Sequence, residues 1–211
     1  MTNIKIAAAA RRAGLTGLMG AVAAATVIGF AGAAHAAPPA HPHVDPAACL
    51  LRQLGDEDCG PASLAMLIGL KKGVKNMPKV LQVVERAAQT DSVIEPGHKV
   101  FDITHFGTNL EDLPAVSGTF GVPAEVVKLK SIADMEQALT HGHYLLAPVD
   151  PGLLRGGEAS GTGHDVVVHR IDAKGVHCLD PSVDKGGDVT VPRDRFLRAS
   201  SKRHNNFLID K

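Results

Sequence analysis

Four residue types that together cleave an amide through a thiol occur along this chain: Gln53, Cys59, His164 and Asp180. Thiol chemistry on a carbonyl needs a thiolate, a base for its proton, a group that orients the base, and donors for the oxyanion. Cys59, His164, Asp180 and Gln53 match those roles in that order. Gln53 stands six positions before Cys59 in Gln-Leu-Gly-Asp-Glu-Asp-Cys-Gly-Pro-Ala-Ser, and an apolar run from Ser63 to Lys72 follows. That run has the composition of a buried helix, with Pro61 acceptable in its first turn and Asp58 a candidate cap. Cys59 then sits at a helix N-terminus, where unpaired N–H groups and the helix dipole lower a thiol pKa from about 8.5.

The base and its orienter need a rigid support, and the second half of the chain supplies strand patterns. Tyr144 to Val149, His164 to Ile171 and Val176 to Asp180 are rich in β-branched and apolar residues. The last two are joined by Asp172-Ala-Lys-Gly175, a Gly-containing turn that predicts an antiparallel hairpin. In such a hairpin His164 begins one strand close to where Asp180 leaves the next. Asp165 is adjacent to His164 but projects to the opposite face, which makes it a poor orienter. The loop from Gly152 to Gly163 is long and Gly-rich, and is read either as a lid over a cleft or as a plain connection.

Scaffold elements fill the space between the two halves of the site. Met77 to Thr90 has amphipathic helix spacing, Asn109 to Phe120 a short helix capped by Thr108 or Asn109, and Ser131 to Thr140 a helix opened by Ser131 and Asp134. Val122 to Leu129 is a short strand. Helices early and strands late predict an α+β fold with segregated layers.

Composition narrows the partners. Lys+Arg and Asp+Glu number 22 each in 211 residues, so there is no electrostatic footprint for nucleic acid or an anionic membrane. Six Phe, one Tyr and no Trp leave little for stacking bases or sugars. Residues 1–36 read as an export signal: Lys5, Arg11 and Arg12 precede an uncharged stretch from Ala13 to Ala34 that ends in Ala34-His35-Ala36. Ala10 before the arginine pair and Ala13-Gly14 after it match a twin-arginine signal poorly, which favours general secretion. The expected product is exported, periplasmic or secreted, starts at Ala37, and has no stable membrane insertion. Residues 37–48 read as a Pro-rich leader and 49–211 as one domain. His41 and His43 lie in that leader and close no metal site, and although His169 and His177 sit on neighbouring strands, His177 and Cys178 point to opposite faces, so only one His remains per plausible site. No cofactor or metal is called for.

Three cysteines in an exported chain leave one over when two pair. Cys49 with Cys178 is the expected disulfide, leaving Cys59 as the reactive thiol.

These motifs resemble the bacteriocin-processing, double-glycine-leader peptidases and their secreted relatives, family 39 of the cysteine peptidases, within the papain-like fold. The resemblance runs from Gln53 to Pro181. It rests on Gln53, on Asp58-Cys59-Gly60-Pro61-Ala62, on Gly163-His164, on Leu179-Asp180-Pro181, and on the intervening Thr108-Asn-Leu-Glu-Asp-Leu and Phe120-Gly-Val. It implies a helical layer carrying the Cys packed on an antiparallel sheet carrying His and Asp, a Cys-His-Asp triad, a Gln oxyanion donor, and a peptide or protein substrate. Members that trim export leaders are usually fused to a membrane transporter and work on the cytoplasmic side, so the substrate is not implied here. Gly161-Thr162-Gly163-His164 also resembles a phytochelatin synthase motif, which implies a dipeptidyl transferase on glutathione-like thiol peptides as the alternative. A non-catalytic peptide-binding module of the same fold is the other alternative.

Overall fold

The computed structural model describes residues 44–102 and 107–211. The signal assigned to residues 1–36 and leader residues 37–43, with His41 and His43, lie outside the described residues. Within residues 44–48, read as leader, Asp45 caps a 3-10 turn at Pro46–Cys49, and Val44 lies against the core.

The central helix α1 (Cys59–Lys72) has every residue from Gly60 to Leu70 buried, as a helix apolar all round must be. α2 (Val80–Gln89) buries only the stripe Val80, Val83 and Ala87, and α3 (Leu113–Thr119) follows a 3-10 turn at Leu110–Asp112. Asn109 makes no side-chain cap there. Then come β1 (Ala124–Lys128), α4 (Ile132–Thr140), β2 (Leu145–Val149), α5 (Pro151–Leu154), β3 (His164–Asp172), β4 (Gly175–Asp180), β5 (Gly187–Val191), α6 (Arg193–Ser201) and β6 (Asn206–Asp210). Ser131 and Asp134 form a reciprocal capping box at the start of α4.

The six strands make one antiparallel sheet in the order β1-β6-β2-β3-β4-β5. Strand alternation sends Leu146, Val167, Leu179 and Leu208 toward α1 and Val166, Val168, Cys178 and Phe207 to the other face. There Phe196 and Ala199 of α6 and Met135 of α4 cover them, a second helical cover not foreseen from the sequence.

The hairpin turn forms as expected, with Lys174 N–H donating to Asp172 Oδ1 at 2.8 Å. Gly175 is required at its end: its φ is +144°, and an added Cβ would stand 2.3 Å from the Val191 carbonyl oxygen. Beyond the turn the ladder slips. Arg170 pairs with His177, but Val168 pairs with Cys178, which leaves His169 as the extra residue of a β-bulge.

The expected Cys49–Cys178 disulfide does not form; all three thiols are free. Cys49 packs in the cluster on the α1 face and Cys178 in the cluster on the other. Their side chains lie on opposite sides of the sheet, and a bridge needs Cβ atoms about 3.5–4.5 Å apart.

Candidate active site

Cys59 is the first residue of α1. Asp58, expected as the helix cap, makes no side-chain bond to the helix; its carboxylate instead accepts Leu54 N–H and Gly55 N–H, each at 2.8 Å. It thereby folds the Gln53–Asp58 loop back on itself. Behind Cys59 the helix start is crowded, because a Cβ on Gly60 would stand 2.0 Å from Thr108 Oγ1 and 3.1 Å from Asp165 Oδ2. Only glycine lets Thr108 and Asp165 pack this close to the helix start.

His164 opens β3 and Asp180 ends β4. Carrying the Val167–Leu179 register past the strand end sets His164 opposite Ser182 and diagonal to Asp180. Its Nε2 lies 2.7 Å from Asp180 Oδ1 and 3.2 Å from Ser182 Oγ. Asp180 also accepts Ser182 N–H at 2.9 Å and pairs with Arg155 Nη2 at 3.2 Å. Burial pushes this carboxyl up, but the hydrogen bond and charge of His164 and the bonds from Ser182 outweigh it and hold it at about 2. An ionised carboxylate only accepts, so Nε2 carries the proton that faces Asp180, and when the ring is neutral its lone pair is on Nδ1.

Cys59, His164, Asp165, Thr108 and Arg203 line one cavity of about 580 Å³. The hydrogen bond of the thiol is to Asp165, with Sγ 3.9 Å from Oδ2. Burial, then the Asp165 carboxylate, push the Cys59 thiol well up, while the backbone N–H groups of Asp165 and Gly60 pull the other way. This reverses the depressed pKa expected from the helix terminus. Burial likewise raises Asp165 to about 6, against the opposing charges of His164 and Arg203. Asp165 does not orient His164, as its alternate side on the strand predicts, but it faces Cys59, which that reading missed.

The fourth expected residue stays apart. Gln53 Nε2 donates to Gly55 O at 2.6 Å, its Oε1 is buried without a partner, and the side chain lines a neighbouring cavity with Arg155 and Ser182. Its backbone is tied to the site, since Gln53 N–H donates to Pro181 O at 3.0 Å.

The Gly152–Gly163 loop is pinned. Asp150 accepts from Leu153 N–H (3.0 Å), Ser160 N–H (3.0 Å) and Gly161 N–H (3.1 Å), and despite burial these bonds hold its carboxyl at about 2. Arg155, within that loop, reaches Asp180; it was missed because a lone cation in a Gly-rich stretch gives no spacing signal. The Ser182 contact was legible in principle, since an Asp side chain often closes a turn by accepting the backbone N–H two residues on. Elsewhere His169 pairs with Asp188 and His177 with Asp172, and among the described residues no three His, Cys, Asp or Glu side chains converge on one point.

No protein-family model and no curated protein matches this chain. Solved structures do match. A Bacillus anthracis protein described as a C39-like peptidase is 18% identical, with a TM-score of 0.58 over 77% of this chain and 93% of its own. A double glycine motif protease from an AMS/PCAT transporter, in complex with its leader peptide, is 18% identical, with a TM-score of 0.51 over 76% and 89%. The peptidase domain of Streptococcus ComA, a bi-functional ABC transporter of a quorum-sensing pathway, is 15% identical, with a TM-score of 0.54 over 76% and 96%. The chain therefore has the α+β fold of the C39-like peptidases, with N-terminal helices on a six-stranded antiparallel sheet.

Proposed function

We propose that the chain is an exported cysteine peptidase that hydrolyses a peptide bond with Cys59 as nucleophile, His164 as base and Asp180 as orienter. The observation that carries this reading is the His164–Asp180 pair at 2.7 Å, with His164 lining the same cavity as a cysteine at the first turn of a buried helix. The fold, and the leader peptide bound to the AMS/PCAT protease of that fold, support a peptide as occupant. The basic, apolar and Ala-His-Ala order of residues 1–36 supports export.

In the proposed cycle, His164 Nδ1 takes the Cys59 proton and the thiolate attacks the carbonyl carbon. The tetrahedral oxyanion is held by the Cys59 backbone N–H and the Gln53 amide. The imidazolium then protonates the leaving amine, and water activated by His164 resolves the acyl-enzyme. Gln53 must turn from Gly55 O to do this, and its partnerless Oε1 shows that it is incompletely bound where it rests. Gln53→Ala is expected to lower kcat, with little change in KM, by about 10²–10³-fold. A loss below about tenfold removes Gln53 from the mechanism.

A second reading is favoured by one contact. A thiol that hydrogen-bonds a carboxylate is poorly prepared to ionise, which suits a module that holds peptides without cutting them. Alkylation separates the two. Limiting iodoacetamide from about pH 4 to 9, with the label located by peptide mapping, reports the thiolate fraction at Cys59. For a peptidase, Cys59 is labelled fast well below pH 8, and His164→Ala slows it. Slow labelling with an ordinary thiol profile, unchanged in His164→Ala, supports the holding module instead. Asp165→Asn is expected to shift the profile to lower pH, because removing a neighbouring negative charge stabilises the thiolate. An unmoved profile means that Asp165 does not act on the thiol.

A further inference from the structure

Arg203 stands in the wall of the Cys59 cavity, and neither the triad nor the sheet accounts for it. After α6 the chain turns through His204 and Asn205, both with positive φ (64° and 54°), a conformation that residues with a Cβ rarely adopt. The turn is held in place: Asn205 Oδ1 accepts from Ser200 Oγ at 2.9 Å, and Asn205 O accepts from Leu129 N–H at 3.0 Å. It carries Arg203 over the segment just before the base. Arg203 Nη2 donates to Gly161 O at 3.3 Å, and its Cζ lies 3.4 Å from where a Cβ on Gly163 would be.

The guanidinium is under-used. Its Nε is buried with no hydrogen-bond partner, and among the described residues it forms no ion pair. Asp165 feels its charge, yet the carboxylate bonds to Cys59. Thr108 Oγ1 is a second buried polar atom in the same wall with no partner. A buried N–H without an acceptor is costly, and the planar fork of arginine fits a carboxylate with parallel N–H groups. The acceptor missing from the protein is one that an occupant of the cavity would bring. Asp56 and Glu57, in the loop before Cys59, line the cavity too and repel a carboxylate from their own positions, which leaves Arg203 as the place for it.

We propose that Arg203 is a carboxylate anchor, so that this cavity takes peptides bearing a carboxylate close to the bond that Cys59 attacks. This rests on the peptidase reading above. The carboxylate comes from a free C-terminus or from an Asp or Glu side chain.

The test uses the full chain as the cell produces it, with Arg203→Gln and Arg203→Lys, all checked for an unchanged melting transition. The probes are short peptides in which each position in turn carries Glu, Gln or Lys, each made as the free acid and as the C-terminal amide. Cleavage is read by mass spectrometry, and protection of Cys59 from iodoacetamide is read in parallel. The parent should favour carboxylate-bearing peptides in kcat/KM by roughly 10–100-fold, the range of a charged hydrogen bond. That ratio should fall to about one in Arg203→Gln and be partly kept in Arg203→Lys. Dependence on the free acid assigns the C-terminus, and dependence on Glu assigns a side chain. No preference in the parent, a preference for Lys, or a preference that survives in Arg203→Gln overturns the proposal. Protection by acidic peptides in the parent alone, with nothing cleaved, keeps the anchor and ends the peptidase reading. Neither cleavage nor protection ends the anchor.

Discussion

Cys59→Ala is expected to abolish peptide turnover, a loss on the order of 10⁶-fold, while the melting transition moves little. The size follows from chemistry: without Sγ there is no acyl-enzyme, and the imidazole has no proton to move. The small effect on folding follows from position. Cys59 is only partly buried, at the start of α1, and the interior of that helix is held by Leu64, Leu67, Ile68 and Leu70. The substitution also removes the thiol that helps hold the Asp165 carboxylate in its charged form, so Asp165 should protonate at higher pH than in the parent. NMR titration of the Asp165 carboxyl in both proteins reads that shift, and a fixed-concentration peptide assay reads turnover. Cleavage by Cys59→Ala at the parent's rate would eliminate covalent catalysis through this residue.

Cys59, His164 and Asp180, the proposed nucleophile, base and orienter, stand out in the sequence because each sits at the end of an element with a strong pattern of its own. Cys59 precedes a continuous apolar run, His164 begins a Val-rich strand, and Asp180 precedes a proline that ends the next. The reason His164 and Asp180 meet was not legible. A regular hairpin built from the Asp172–Gly175 pair would set His164 opposite Val183, with Asp180 on the reverse face. The bulge at His169 shifts the register by one and brings both to the same side. Nothing about an isolated histidine in a strand announces a bulge. By the same alternation Asp165 joins Val167 on the α1 face and meets Cys59.

Distance in sequence hid the rest. β6, from the last residues of the chain, inserts between β1 and β2, and α6 covers the face opposite α1. Local periodicity carries no information on such pairings. The disulfide expectation failed for a related reason: counting thiols says nothing about which face of a strand each occupies.

Asp180→Asn is expected to lower kcat/KM on the order of 10⁴-fold and, unlike Cys59→Ala, to change how stability depends on pH. An Asn side chain can turn its NH₂ toward His164, which then accepts at Nε2 and carries its proton on Nδ1. The lone pair that should face the thiol is lost, and Arg155 is left beside a neutral amide. The carboxyl of the parent is held at about 2, below the unfolded value of about 3.9. A depressed folded-state pKa stabilises the fold at pH values above the unfolded pKa, and that contribution is lost as pH falls through the folded one. The shift corresponds to about 2–3 kcal/mol, present at neutral pH and disappearing between about pH 4 and 2. Melting temperatures over that range should therefore drop less steeply for Asp180→Asn than for the parent, while at pH 7 the variant melts lower. Parallel acid limbs would show that the ionised Asp180 carboxylate, with its bonds from His164 and Ser182, adds no net stability. A kcat/KM within tenfold of the parent would show that Asp180 does not set the tautomer on which proton transfer from Cys59 depends.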